Sequence, residues 1–174
     1  MQKLSVSLGF FALFFLVVVP KVQAQTINWM TWEEAIKAND KEPKKLFVDV
    51  YTQWCGWCKK MDKTTFLDPK IVDYVNANFY AVKLDAEQRA DIKYKGQTLK
   101  YYPDAGRRGI HELAYALLDG KMSYPSYIFL DEKQSRITVA PGYQAANDFI
   151  NVLKYIGGGA YSNKTFDEFM ATGE

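Results

Sequence analysis

Leu46-Phe47-Val48-Asp49-Val50-Tyr51 leads directly into Trp54-Cys55-Gly56-Trp57-Cys58-Lys59, and these two cysteines are the only ones in the 174 residues. The first stretch, from Lys45 to Tyr51, is near-continuously apolar, as a strand in the buried centre of a sheet is. A Cys-x-x-Cys that opens a helix after such a strand has a specific use. The helix N-terminus offers unpaired N–H groups and a partial positive charge, which stabilise a thiolate on the first cysteine. The second lies one turn on, within reach to form a disulfide and release a substrate attached to the first. A fixed structural bridge and half of a metal site are the competing readings. A bridge closing so short a loop removes little unfolded-chain entropy. Zinc wants four ligands, and His111 is the only histidine. Haem attachment needs histidine after the second cysteine, where Lys59 stands. Redox chemistry explains the pair best, and it requires no metal or organic cofactor.

The N-terminus has the pattern of a secretory signal. Lys3 precedes an apolar run from Leu8 to Val19, Pro20 ends it, and Val22-Gln23-Ala24 suits a signal peptidase cutting after Ala24. Retention as an N-terminal anchor is the alternative. The expected organisation is a signal peptide over 1–24 and a single exported domain over 25–174. That domain has 150 residues, enough for one substantial core. Lys3 and Lys21 account for the whole net charge of +2, so the exported chain is neutral and carries no footprint of a nucleic-acid partner.

Downstream, Thr31-Trp32-Glu33-Glu34 reads as a capping box before a short helix to about Ala38, with Trp32, Ala35 and Ile36 inward. Asn39 to Pro43 reads as a polar turn. The helix opened at Cys55 is predicted to run through Phe66 until Asp68-Pro69 restarts it, carrying Ile71, Val72 and Val75 to Asn78. Phe79 to Leu84 alternates as the next strand. Ile92 to Tyr102 suggests a hairpin around Lys95-Gly96-Gln97. Ile110, Leu113, Ala114, Leu117 and Leu118 mark one helix face. Tyr127–Leu130 and Arg136–Ala140 read as paired strands. Ala145 to Ile156 is a closing amphipathic helix with Phe149, Ile150 and Leu153 inward, stopped by Gly157-Gly158-Gly159. A second capping box, Thr165 to Glu168, starts a tail helix within 160–174 that should dock by Phe166 and Phe169. The alternation of helices and strands points to an α/β fold, a central sheet with helices on its faces.

Four features in order make the chain resemble the thioredoxin superfamily: Phe47-Val48-Asp49, the Trp54–Lys59 motif, Val82-Lys83-Leu84-Asp85, and Tyr124-Pro125-Ser126 before a hairpin and a final helix. The likeness covers about residues 30–156. Lys63-Thr64-Thr65-Phe66 with Val72 to Phe79 is similar to exported bacterial thioredoxin-like proteins related to the soluble domains of disulfide-interchange proteins. The resemblance implies a thioredoxin fold with a central mixed β-sheet. Two departures stand out: Gly-Trp replaces Gly-Pro between the cysteines, and residues 86–123 form an insertion before the cis-proline strand.

By this resemblance Cys55 is an exposed nucleophile and Cys58 the shielded resolving thiol. Asp49 is a buried carboxylate exchanging a proton with Cys58, or else a solvent-facing strand residue; Lys83 is either its charge partner or an exposed lysine. Pro125 is a cis proline that leaves the backbone of Tyr124 free to pair with an extended substrate. Trp54 packs against the fold, and Trp57 offers an apolar contact to substrate. The implied activity is thiol–disulfide exchange on protein thiols or disulfides by a monomer, in the reducing rather than the oxidising direction, served by a membrane electron-transfer or oxidase partner. A polypeptide-binding module with idle cysteines is the second reading. His111 reads as a structural or surface residue rather than a ligand, Arg107-Arg108 as a solvated helix start with docking of a partner as the alternative, and Gly106 to Gly109 lacks the spacing of a phosphate loop.

Overall fold

The computed structural model describes residues 26–173; the expected signal segment, 1–24, lies outside them. Strands β1 (Trp29–Met30), β2 (Lys45–Tyr51), β3 (Phe79–Asp85), β8 (Ser126–Leu130) and β9 (Arg136–Pro141) form one mixed sheet in the order β1-β3-β2-β8-β9. β2 runs parallel to β3 and antiparallel to β8. Helices α1 (Trp32–Lys41), α2 (Gly56–Lys63), α3 (Pro69–Asn78), α4 (Glu112–Leu117), α5 (Ala146–Gly157) and α6 (Phe166–Thr172) surround it. Between β3 and β8 lie two small hairpins, β4 (Ile92–Tyr94) with β5 (Gln97–Leu99) and β6 (Tyr101–Tyr102) with β7 (Ile110–His111).

Because successive strand residues face opposite ways, β2 feeds two cores. Leu46, Val48 and Val50 pack with Val82, Ile128, Trp32 and Leu113 beneath α1 and α4. Phe47 packs with Ala81, Phe129, Met61, Val72 and Phe149 beneath α2, α3 and α5. Asp49, Lys83 and Tyr127 are paired neighbours across β2, β3 and β8 and share this second face. A three-layer α/β/α architecture follows.

Several expectations shift in detail. Strand β1 was not legible, since two residues held only by pairing with β3 carry no periodicity. α1 continues through Lys41, because Asn39 is buried and its amide donates to Lys44 O at 2.7 Å. α2 stops at Lys63 and a 3-10 turn, Thr65–Leu67, intervenes before the Asp68 cap and Pro69. The turn between β4 and β5 does centre on Lys95 and Gly96, both at positive φ, as a twisted two-residue hairpin requires. Only Glu112–Leu117 is helical in the next segment; Ile110 and His111 form a strand instead. The tail capping box is present, with Phe169 buried but Phe166 only resting edge-on against Tyr155 at the surface.

Candidate active site

Cys55 is the N-cap of α2, and Cys55 and Cys58 form a disulfide. The Cys58 N–H donates to Cys55 Sγ at 3.0 Å, so an N–H of the first turn of the helix is aimed at the sulfur that would carry a thiolate. Both cysteines are buried in this oxidised state, Cys55 at 4% and Cys58 at 2% exposure. The expected contrast between an exposed and a shielded sulfur is therefore absent here. Each sulfur is covered in part by the other to which it is bonded.

Asp49 is buried at 1% exposure and is not solvent-facing. Its Oδ2 accepts from Lys83 Nζ at 2.6 Å, while Oδ1 has no hydrogen-bond partner. Burial disfavours the charged carboxylate more than Lys83 favours it, and the Asp49 pKa is pushed up to about 6. Lys83 is a charge partner, and it is shared. Its Nζ also bonds Asp62 on α2, and its ammonium lies 4.8 Å from the Trp29 ring centroid and 5.1 Å from that of Phe66. Burial alone would lower the lysine pKa, but the two carboxylates raise it above the ordinary value. Asp62 was missed in the sequence. The available signal was spacing, since it lies four residues after Cys58 and so on the same side of the helix.

The Tyr124–Pro125 peptide bond is cis, and Pro125 is buried at the start of β8. Tyr124 is half-buried, and burial, reinforced by Glu87 and Asp85, pushes its phenol pKa up to about 12. Trp54 does not pack into the fold. It is 51% exposed, its ring meets Tyr124 edge-on at 5.8 Å, and its Nε1–H donates to Glu87 Oε1 at 2.8 Å. Glu87 and Tyr124 hold the indole at the surface. Trp57 is 55% exposed, tilted against Tyr143 at 5.3 Å, with Lys60 Nζ over both rings. The two exposed indoles thus flank the cysteine pair in sequence, Trp54 just before Cys55 and Trp57 just before Cys58.

His111 is fully buried, where it caps α4 by accepting the Leu113 N–H at Nδ1, and burial lowers its pKa. It is a structural residue. Among the described residues no cluster of three His, Cys, Asp or Glu side chains could hold a metal.

The chain is similar to other proteins at two levels. Over 67 residues, 38% of this chain, it is 34% identical to spermatogenesis-associated protein 20 of Rattus norvegicus and to an uncharacterized protein of Caenorhabditis elegans. The match spans only 8% and 9% of the length of these curated relatives. Among solved structures, a DsbH oxidoreductase superposes with a TM-score of 0.56 over 86% of this chain and 94% of its own, at 13% identity. A Bacteroides thetaiotaomicron protein described as a candidate disulphide-isomerase superposes with a TM-score of 0.53 over 76% of this chain and 94% of its own, at 27% identity. Residues 18–157 match the model of the Thioredox_DsbH family, described as a protein of unknown function, DUF255. With a mixed sheet, flanking helices and a Cys55–Cys58 disulfide capping α2, the chain belongs to this DsbH-like thioredoxin family.

Proposed function

We propose that the protein is an exported thiol–disulfide oxidoreductase that works chiefly as a reductant of protein disulfides. The observation that carries this reading is the Cys55–Cys58 disulfide at the N-cap of α2, with a buried carboxylate on the strand beneath. In the reduced protein the Cys55 thiolate attacks one sulfur of a client disulfide, forming a mixed disulfide and expelling the other client sulfur as a thiolate. Cys58 then loses its proton to Asp49, whose Oδ1 has no other partner. A carboxyl with a pKa of about 6 exchanges protons readily near neutral pH. The Cys58 thiolate attacks Cys55 Sγ and the second client thiolate leaves. Two electrons pass from the protein dithiol to the client, leaving the disulfide form. Trp57 and the backbone of Tyr124 beside cis Pro125 hold the client segment, and Trp54 and Lys83 support the site.

Cleavage after Ala24, residence in the periplasm, monomeric state and rereduction by a membrane electron-transfer partner belong to the same proposal. Its test is direct. Cys55→Ser abolishes client reduction, and Cys58→Ala accumulates mixed disulfides through Cys55. A reduction potential near about −270 mV, like thioredoxin's, supports the reducing direction, whereas one near about −120 mV makes the protein a disulfide donor. The exposed Trp54 and Trp57 also suit a polypeptide-binding module. That reading prevails if Cys55→Ser retains clients and the parent reduces none.

A further inference from the structure

The insertion between β3 and β8 builds a second feature against Trp54, the residue before Cys55. A cavity of about 440 Å³ lies between Trp54 and Tyr124 on one side and the loop Ala105–Gly109 on the other. Its two neighbours in sequence matter: Trp54 precedes Cys55, and Tyr124 precedes cis Pro125. The pocket thus shares Trp54 and Tyr124 with the site proposed to hold a client disulfide.

The loop is held in shape rather than draped. The β6–β7 hairpin closes it, and Tyr101 Oη donates to Arg108 O at 2.5 Å. Gly109 has φ +78°, and a Cβ there would fall 2.1 Å from Tyr101 Oη. Only glycine combines that backbone with a tyrosine ring so close. The Arg89 guanidinium covers the Tyr101 ring at 5.5 Å. These contacts fix Arg107 and Arg108 on the pocket wall, the latter 5.7 Å from the Trp54 ring centroid.

The lining is polarised. Neither Arg107 nor Arg108 forms an ion pair among the described residues. The single carboxylate in the wall, Glu87, already accepts the Trp54 indole N–H. Ile110 and Met122 add apolar surface for the stem of a bound side chain. A guanidinium lying over an indole keeps its N–H edge free, the geometry that takes a carboxylate in two parallel hydrogen bonds.

We propose that the loop formed by residues 105–109 is a client-specificity site that binds a glutamate or aspartate side chain within two residues of the client cysteine under attack. Two residues of extended chain span about 7 Å, and the pocket wall includes Trp54, the residue next to Cys55. This rests on the oxidoreductase reading above and adds to it the class of client.

The test uses two peptide disulfides that differ only in Glu or Gln beside the cysteine, reduced by the full protein in its dithiol form. For the parent, KM is about fivefold lower for the Glu peptide at low salt, the factor that one partly exposed ion pair provides. In Arg107→Gln/Arg108→Gln the ratio of the two KM values falls to about one, and in Arg108→Glu a Lys-flanked peptide becomes the preferred one. The parent's preference also shrinks at high salt. Equal KM values in the parent, or a preference that survives in the double glutamine variant, overturn the proposal. Failure to reduce either peptide strikes instead at the redox reading, so the two can be told apart.

Discussion

Replacing Asp49 by Asn is expected to change how stability depends on pH, with the unusual sign that acid helps the parent. In the parent, the carboxyl has its ordinary value of 3.8 in the unfolded chain and about 6 in the fold. Between those values the folded state binds more protons than the unfolded one, so stability falls as pH rises. The contribution is fully present below 3.8 and is lost as pH climbs through about 6. A shift of about two units corresponds to about 3 kcal/mol over the full window, at about 1.4 kcal/mol per unit. Asn is nearly isosteric and cannot ionise, so this loss disappears, while any fixed cost of the weaker bond to Lys83 cancels between two pH values. Urea unfolding of the oxidised protein at pH 4 and pH 7.5 reads the difference. The Asn variant should gain about 2–3 kcal/mol on the parent between those values, roughly 1 M or more in midpoint for a typical slope. Parallel curves would refute the reasoning. They would mean that Lys83 fully offsets the burial of Asp49 and that the carboxyl is no proton acceptor at neutral pH.

Lys83→Met leaves Asp49 unpaired and is expected to destabilise the protein by about 3 kcal/mol at pH 8, and by less at pH 5, where Asp49 is protonated; denaturation at both values checks it. Gly109→Ala forces a left-handed backbone on alanine and drives its Cβ into Tyr101. It should cost about 1–3 kcal/mol and open the 103–109 loop to limited proteolysis. Thr65 is buried and its hydroxyl donates to Gln144 O at 2.7 Å. Thr65→Val should therefore lower stability by about 1–2 kcal/mol in thermal or urea unfolding. Trp57→Ala removes a half-exposed ring and should leave stability within about 0.5 kcal/mol, while raising KM for protein disulfides over that for small ones.

Much of the frame was readable because it is written in short-range terms. The apolar run Lys45–Tyr51, the alternation in Phe79–Leu84, the Thr31 and Thr165 capping boxes and the helix opened at Cys55 each depend on residues within a turn or two of one another. The site was readable to the same extent. Two cysteines at a three-residue interval declare themselves, and so does a proline after Tyr124. Asp49 could be noticed as an acid among apolar neighbours, but its burial could not be read from them. The same residue on a strand with one solvated face would look identical.

What the amino-acid order determined by itself was the identity and sequence of the elements and the redox pair placed at a helix start, since propensity, capping and periodicity act locally. Pairing across 34 residues decided that Asp49 lies beside Lys83, and helix packing that Asp62 shares the same ammonium. The tertiary fold alone stood Trp54 against Glu87 and Tyr124, and set Arg107 and Arg108 on the wall of a pocket that Trp54 lines. The physical reason is register. Which face of a strand is buried, and what meets it there, depends on neighbours far away in the chain, and no local pattern encodes their position.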